Sequence, residues 1–242
     1  MIFLYTDFGY EGPYVGQMKA ILQRLAPGIT VIDIIHNAPI CNPRSAAYLL
    51  AALAQESEAG DVWLCVIDPG VGSERLPILL DCGGVSFVGP NNGLLELIYR
   101  RVPGSRRKVI EWRPEKMSST FHGRDLFAPV TAWCALGMDV PGRYLNCTTR
   151  RPGEDWPDNL GEVIYIDFYG NVMTGIGGST LTDDELIRAG STELRYANTF
   201  SAVPDGAPFW HRNSSGLIEI SCNQARAKER LNLKIGDLIE VV

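Results

Sequence analysis

Cys65-Val66-Ile67-Asp68-Pro69-Gly70-Val71-Gly72-Ser73-Glu74-Arg75 closes an apolar run that begins at Val62. The run stops at an acid and breaks at once into Pro-Gly-Val-Gly. It reads as a buried strand whose carboxyl end carries Asp68 into a tight, glycine-lined loop. In open α/β sheets, ligands gather in the crevice beyond the carboxyl ends of the strands. Asp68 at such a point, with Arg75 seven residues on, is therefore a candidate functional pair. The alternative is a turn-capping aspartate with a solvated arginine neighbour, and the loop alone does not separate the two.

Working outward, Ile2–Thr6 is a second short apolar run ending in an acid, Thr6-Asp7-Phe8-Gly9. Pro13 suits a first helical turn. Val15, Met18, Ile21, Leu22 and Leu25 follow at helical spacing, up to Pro27-Gly28. Thr30–Ile35 is β-branched, Pro43–Ala54 is an alanine- and leucine-rich helix, and Asp61–Ile67 is the third strand. The order β-α-β-α-β predicts a parallel sheet with crossover helices. Pro77–Asp81 and Val85–Val88 read as a hairpin turned at Cys82-Gly83-Gly84. A short helix is expected over 94–101, a strand over 109–112, and a helix over about 126–136 after Phe121-His122-Gly123-Arg124-Asp125.

From about residue 137 to 159 the chain is punctuated by Pro141, Gly142, Pro152, Gly153 and Pro157, as in a linker. Beyond it, strand-like segments at 161–168, 193–196, 217–221 and 238–242 alternate with glycine- and asparagine-rich turns. The expected organisation is an α/β N-terminal domain over 1–140, a linker over 141–158 and a smaller, barrel-like all-β C-terminal domain over 159–242.

Composition narrows the function. Hydrophobic residues make up 45% and charged residues 21%, which suits a globular protein with a full core. The net charge is −6, and the longest basic block is Arg106-Arg107-Lys108, so a nucleic-acid partner is not expected. No apolar run reaches the roughly 18 to 20 residues of a membrane-spanning helix, and the start has no basic, apolar leader. The six cysteines are scattered without a CxxC pair. A reduced, cytoplasmic protein without a cysteine-based zinc site is expected.

Three histidines exist. His211 reads as structural or surface, and His36, at a strand end beside Asn37, as structural with a cleft-lining position as its alternative. His122 sits at a loop-to-helix junction and is a candidate general base. No HxH, HExxH or HxD spacing supports a catalytic metal, and no GxSxG elbow supports a nucleophilic serine. Asp68-Pro69-Gly70-Val71-Gly72 is neither GxGxxG nor a P-loop, which disfavours nucleotide-phosphate binding. Ile166-Asp167-Phe168-Tyr169-Gly170-Asn171-Val172 offers an acid, two rings and an Asn around a glycine turn. It reads either as an Asx-stabilised hairpin turn or as a recognition edge, and Arg212-Asn213-Ser214-Ser215-Gly216 is similarly two-sided; propensity alone favours the plain turn in both.

Several ordered motifs together resemble one family. They are Thr6-Asp7-Phe8-Gly9, Tyr14-Val15-Gly16-Gln17-Met18-Lys19, Val66-Ile67-Asp68-Pro69-Gly70-Val71-Gly72, Phe87-Val88-Gly89-Pro90-Asn91-Asn92-Gly93 and Phe121-His122-Gly123-Arg124-Asp125-Leu126-Phe127-Ala128-Pro129. Tyr169-Gly170-Asn171-Val172 and Asn213-Ser214-Ser215-Gly216 complete the series. From residue 2 to about 242 the chain resembles the S-adenosyl-L-methionine hydroxide adenosyltransferases, relatives of fluorinating and chlorinating enzymes. The resemblance implies hydrolysis of S-adenosylmethionine to adenosine and methionine without a cofactor or metal. It also implies a homotrimer, with each site between the N-terminal domain of one subunit and the C-terminal domain of its neighbour.

By the same matching, the catalytic set falls on Asp68, Arg75 and His122, and Asp7 would hold the ribose hydroxyls. Asp167 would meet the methionine ammonium, while Asn171 and Ser214 would serve the adenine or amino-acid end. Tyr14, Phe121 and Tyr169 would supply packing walls. The halogenating relatives carry Tyr and Ser where this chain has Asp68 and Gly123, which argues for water over halide. Ser215 stands where they place an arginine near the methionine carboxylate. A halide-dependent adenosyl transfer and a non-catalytic adenosine-binding protein are the rival readings.

Overall fold

A computed structural model describes residues 1–242, which divide into two compact units, Met1–Glu154 and Asp155–Val242. The first is built on a seven-stranded sheet. In chain order its strands are β1 (Ile2–Thr6), β2 (Val31–Ile35), β3 (Val62–Val66), β4 (Pro77–Cys82), β5 (Val85–Pro90), β6 (Arg106–Ile110) and β7 (Gly142–Tyr144). Across the sheet they lie in the order β2-β1-β3-β5-β4-β6-β7. The first four are parallel, with Ile2 opposite Val31 and Val62 and Thr6 opposite Val66. β4, β6 and β7 extend the sheet antiparallel. Thus β4 and β5 are the expected hairpin.

Helices α1 (Tyr14–Leu25), α2 (Pro43–Leu53), α3 (Glu96–Arg101) and α4 (Ala128–Ala135) flank this sheet. Ile2, Leu4, Val62, Leu64 and Val66 share one core with Met18 and Leu22 of α1 and Ala128 and Val130 of α4. Alternate residues serve the opposite face, where the Tyr5 hydroxyl donates to the Ala46 carbonyl of α2. Every residue of β3 is buried, as expected of a parallel strand covered on both sides. The chain runs from β1 outward to β2 and then back to β3 on the other side of β1. The strand order therefore reverses between β1 and β3, and a crevice opens beyond their carboxyl ends. Asp7 follows β1, and Asp68 follows β3.

The second unit is antiparallel. Its strands are β8 (Leu160–Ile166), β9 (Val172–Gly177), β10 (Ile187–Ala189), β11 (Thr192–Leu194), β12 (Pro208–Arg212), β13 (Leu217–Cys222) and β14 (Ile239–Val241). They form one sheet ordered β12-β13-β9-β8 and another ordered β11-β10-β14. Val163, Val172, Ile187, Trp210, Ile218 and Ile220 are buried in their common core. The expected change from α/β to β architecture is observed.

Some elements escape the sequence pattern. β7, inside the Pro- and Gly-punctuated stretch, pairs with β6 at the sheet edge. β9, β10 and β12 lie in segments not read as strands, and a single turn of helix, α5 (Ala227–Leu231), ends at Asn232 in the left-handed region. The helix expected from about 126 starts earlier, as a π-helical turn over Gly123–Phe127 that runs into α4. His122 immediately precedes that turn, already in helical conformation. No helix is long and apolar enough to cross a membrane.

Candidate active site

The crevice beyond β1 and β3 is a pocket of about 620 Å³. Asp7, Tyr14, Asp68, Phe121 and His122 all line it, with Phe8, Gln17, Cys41, Gly123 and Arg124. Asp68 is presented by a sequence of turns. Val71 N donates to the Asp68 carbonyl and Ser73 N to that of Gly70, while the Ser73 hydroxyl caps Gly70 at 2.7 Å and accepts from Arg75 N. The loop thereby doubles back, and Arg75 returns to the acid it followed. Gly72 lies at φ +81°, and a Cβ there would meet the Ser119 carbonyl at 2.7 Å, so only glycine lets the loop pass this close. From the loop after β5, Asn92 donates to the Ile67 carbonyl at 2.9 Å and holds the end of β3 in place.

Arg75 is the centre of the charged set. Its Nε donates to both Asp68 carboxylate oxygens, at 2.9 and 3.1 Å, and its Nη2 makes a further short contact to Asp68 Oδ2. The same Nη2 lies 2.8 Å from His122 Nδ1, and the guanidinium stacks over Phe127. The order is thus Asp68–Arg75–His122, with the arginine between the two groups that proton transfer would use. The Asp68 and Arg75 side chains are 5% and 9% exposed, and His122 is 8% exposed. Burial, and then the neighbouring Arg75 charge, push the His122 pKa below the ordinary histidine value.

Asp7 accepts from Cys41 N at 2.9 Å. Burial raises its pKa above the ordinary carboxylate value; the Cys41 bond opposes this and the Asp68 charge adds to it. The Asp7 loop is fixed from behind by buried groups: His36 Nδ1 lies 2.8 Å from the Thr6 hydroxyl, and Gly9 N donates to the His36 carbonyl. His36 is buried in a structural position. Phe8, Tyr14 and Phe121 form a three-ring edge-to-face cluster with centroids 5.3–5.9 Å apart. Gly123 belongs to this wall, since a Cβ there would meet Met18 Sδ at 3.2 Å and the Phe121 and Phe8 rings at 3.3 and 3.4 Å.

Gln17 and Arg124 were quoted in the motifs without a role. Arg124 Nη1 donates to Gln17 Oε1 at 2.8 Å, the guanidinium lies over the Phe121 ring, and Asp125 pairs with it. Tyr14 and Gln17 stand three residues apart on α1, one face of a helix, and that spacing was the available signal. Nothing in the sequence marks the Cys41 amide as the partner of Asp7.

The second unit has its own pocket, about 850 Å³, lined by Asp167, Phe168, Tyr169, Asn171, His211, Ser214 and Glu219 among others. Here the polar groups bond to one another within the turns. Asn171 donates to Asp167 through its backbone N, at 2.8 Å, and its side-chain amide, at 2.9 Å. Asn213 Oδ1 accepts from Ser215 N and Leu217 N, and its amide donates to the buried Glu219 at 2.9 Å. His211 Nε2 lies 3.1 Å from the Ser221 hydroxyl. Phe168 and Tyr169 are 87% and 72% exposed.

Residues 2–142 match the model of the SAM hydroxide adenosyltransferase N-terminal domain, and residues 161–240 match that of its C-terminal domain. The chain belongs to the SAM hydroxide adenosyltransferase family. Within reach of this family lies a Thermus thermophilus protein named (R)-S-adenosyl-L-methionine hydrolase, 35% identical, the match covering 97% of this chain and 96% of that one. A Salinispora arenicola protein of the same name is 34% identical, with 98% and 95% covered. The crystal structure of an uncharacterized conserved Thermotoga maritima protein superposes with a TM-score of 0.90 at 31% identity, covering 100% of this chain and 99% of that one.

Proposed function

We propose that this SAM hydroxide adenosyltransferase hydrolyses S-adenosyl-L-methionine to adenosine and L-methionine by attack of water on the ribose 5′ carbon. The observation that carries the reading is the buried Asp68–Arg75–His122 array opening on a pocket beside a second acid, Asp7. A sulfonium leaves as neutral methionine, so the departing group needs no acid. The difficulty lies in the nucleophile, because neutral water is poor. In this reading Asp68 accepts the proton of the attacking water, a step worth about 10²–10⁴-fold, and positioning the water in line with the carbon–sulfur bond supplies much of the rest. Arg75 fixes Asp68 and His122 together, and Asp7 holds the ribose hydroxyls. Tyr14 and Phe121 pack against the substrate.

Asp167, Asn171, Ser214 and Tyr169 serve the adenine and amino-acid ends. In the assembled protein, a homotrimer in this reading, these come from the C-terminal domain of a neighbouring subunit, and the enzyme works in the cytoplasm without a cofactor. What supports this part is the polar, ring-bearing pocket those four residues share. Asp68 also disfavours a halide, since a carboxylate and an anion a few ångströms apart repel by several kcal/mol where water is scarce. Mass spectrometry of S-adenosylmethionine incubated with the protein tests the reading, with and without chloride or fluoride. Adenosine and methionine are expected in both cases; a 5′-halo product, or intact substrate, would overturn it.

A further inference from the structure

The array fixes which proton His122 carries. A guanidinium has five N–H donors and no acceptor, and Arg75 Nη2 approaches His122 Nδ1 at 2.8 Å. That contact is a hydrogen bond only if Nδ1 offers its lone pair. A neutral imidazole with a bare Nδ1 carries its hydrogen on Nε2. A ring protonated at both nitrogens would point an N–H at the guanidinium.

We infer that Arg75 locks His122 in the Nε2–H tautomer, so that His122 acts in the pocket as a hydrogen-bond donor and Asp68 alone takes the proton of the water. The role rests on the hydrolytic reading given above; the tautomer rests on the geometry alone. The surrounding charges agree. Burial and Arg75 are the main influences on His122, and both favour the neutral ring, with Arg113 adding to them and Asp68 and Asp125 opposing. His122 lines the pocket, and with Nδ1 engaged by Arg75 the ring nitrogen left to the pocket is Nε2.

The division of labour follows. A water that accepts from Nε2–H and donates one O–H to Asp68 keeps a lone pair for the 5′ carbon. As the new C–O bond forms, the C–S pair leaves on the methionine sulfur, and the water proton passes to the Asp68 carboxylate and later to solvent. His122 supplies orientation. A histidine with its hydrogen already on Nε2 cannot accept that proton at the same atom.

Two measurements test this on the full-length protein. With ¹⁵N-histidine labelling, long-range proton–nitrogen correlations without substrate should show His122 with a bare Nδ1 and a protonated Nε2 at neutral pH. The signal is assigned by its loss in His122→Gln. Protonation at Nδ1 would overturn the inference. In kinetics, His122→Gln places an amide donor near the Nε2 position. It should stay within about 10-fold of wild type, whereas His122→Asn and His122→Ala, which lack that donor, should fall by about 10²-fold or more. Equal losses in all three would show that a donor at this position is not what His122 contributes. If the wild-type protein fails to hydrolyse S-adenosylmethionine, the functional reading falls while the tautomer measurement stands by itself.

Discussion

The two pockets are built on opposite plans. In the first unit the acids follow the ends of buried parallel strands, and Asp68 touches Arg75 from its own loop and, through it, His122 at the start of the π-helical turn, almost without solvent. In the second they sit on turns of antiparallel strands. There the acid and the amide satisfy each other, Asp167 with Asn171, and the rings beside them are exposed. In the proposed reading the difference is one of task. A group that moves a proton must be held within tenths of an ångström, and a strand end locked by packing does this. A surface that recognises a flat base or an ammonium can be a turn with its own internal bonds, provided its rings are free to be covered.

The contrast predicts a gradient of mutational effects. Removing the carboxylate should break the chemistry itself. Asp68→Asn is expected to slow adenosine release by about 10²–10⁴-fold with little change in KM. The assay belongs well below the melting temperature, because Arg75 keeps a neutral acceptor but loses its buried charge partner. Changing the array by pH should act next. His122 is held neutral, so protons bind it more tightly in the unfolded chain than in the folded one. Its contribution to stability is therefore complete at high pH and is lost as pH falls. Likewise kcat/KM should decline on the acid side with a midpoint below the ordinary histidine value of about 6.5. A midpoint above that value would show that burial and the Arg75 charge do not hold His122 neutral.

Changes in the second unit should move binding and spare chemistry. Asn171→Ala removes the side-chain bond to Asp167 together with the substrate contact proposed for it, and should raise KM by the equivalent of about 1–3 kcal/mol while kcat holds. A matching fall in kcat would contradict the split between the two pockets. The smallest effect belongs to the exposed rings. Tyr169→Ala should weaken substrate binding by about 0.5–1.5 kcal/mol and shift stability by no more than about 0.5 kcal/mol, as read by titration and thermal melting.

The strand ends were legible because they announce themselves locally. An apolar run followed by an acid and a glycine marks where β1 and β3 stop, and the β-α-β order places those stops along one crevice. Asp7 and Asp68 follow from that. Arg75 as the bridge between Asp68 and His122 does not, because its contact with His122 spans 47 residues of chain, and the Gln17–Arg124 bond spans 107. No local pattern reports such distances. β9 was obscured by Gly175 and Gly177, and β10 by its three-residue length. The turn carrying Asp167 and Asn171 was legible as a turn, and propensity favoured the plain Asx turn over a recognition edge, since an Asx bond and a ligand contact ask for the same residues.

The central claim is that water is the nucleophile and that the first unit's array delivers it. Single-turnover hydrolysis of S-adenosylmethionine in ¹⁸O-water, with mass analysis of the adenosine, tests it most directly. One ¹⁸O at the 5′ position, formed at a rate that collapses in Asp68→Asn, is the expected result. Adenosine without the label, or labelled adenosine formed equally fast by the variant, would contradict the account.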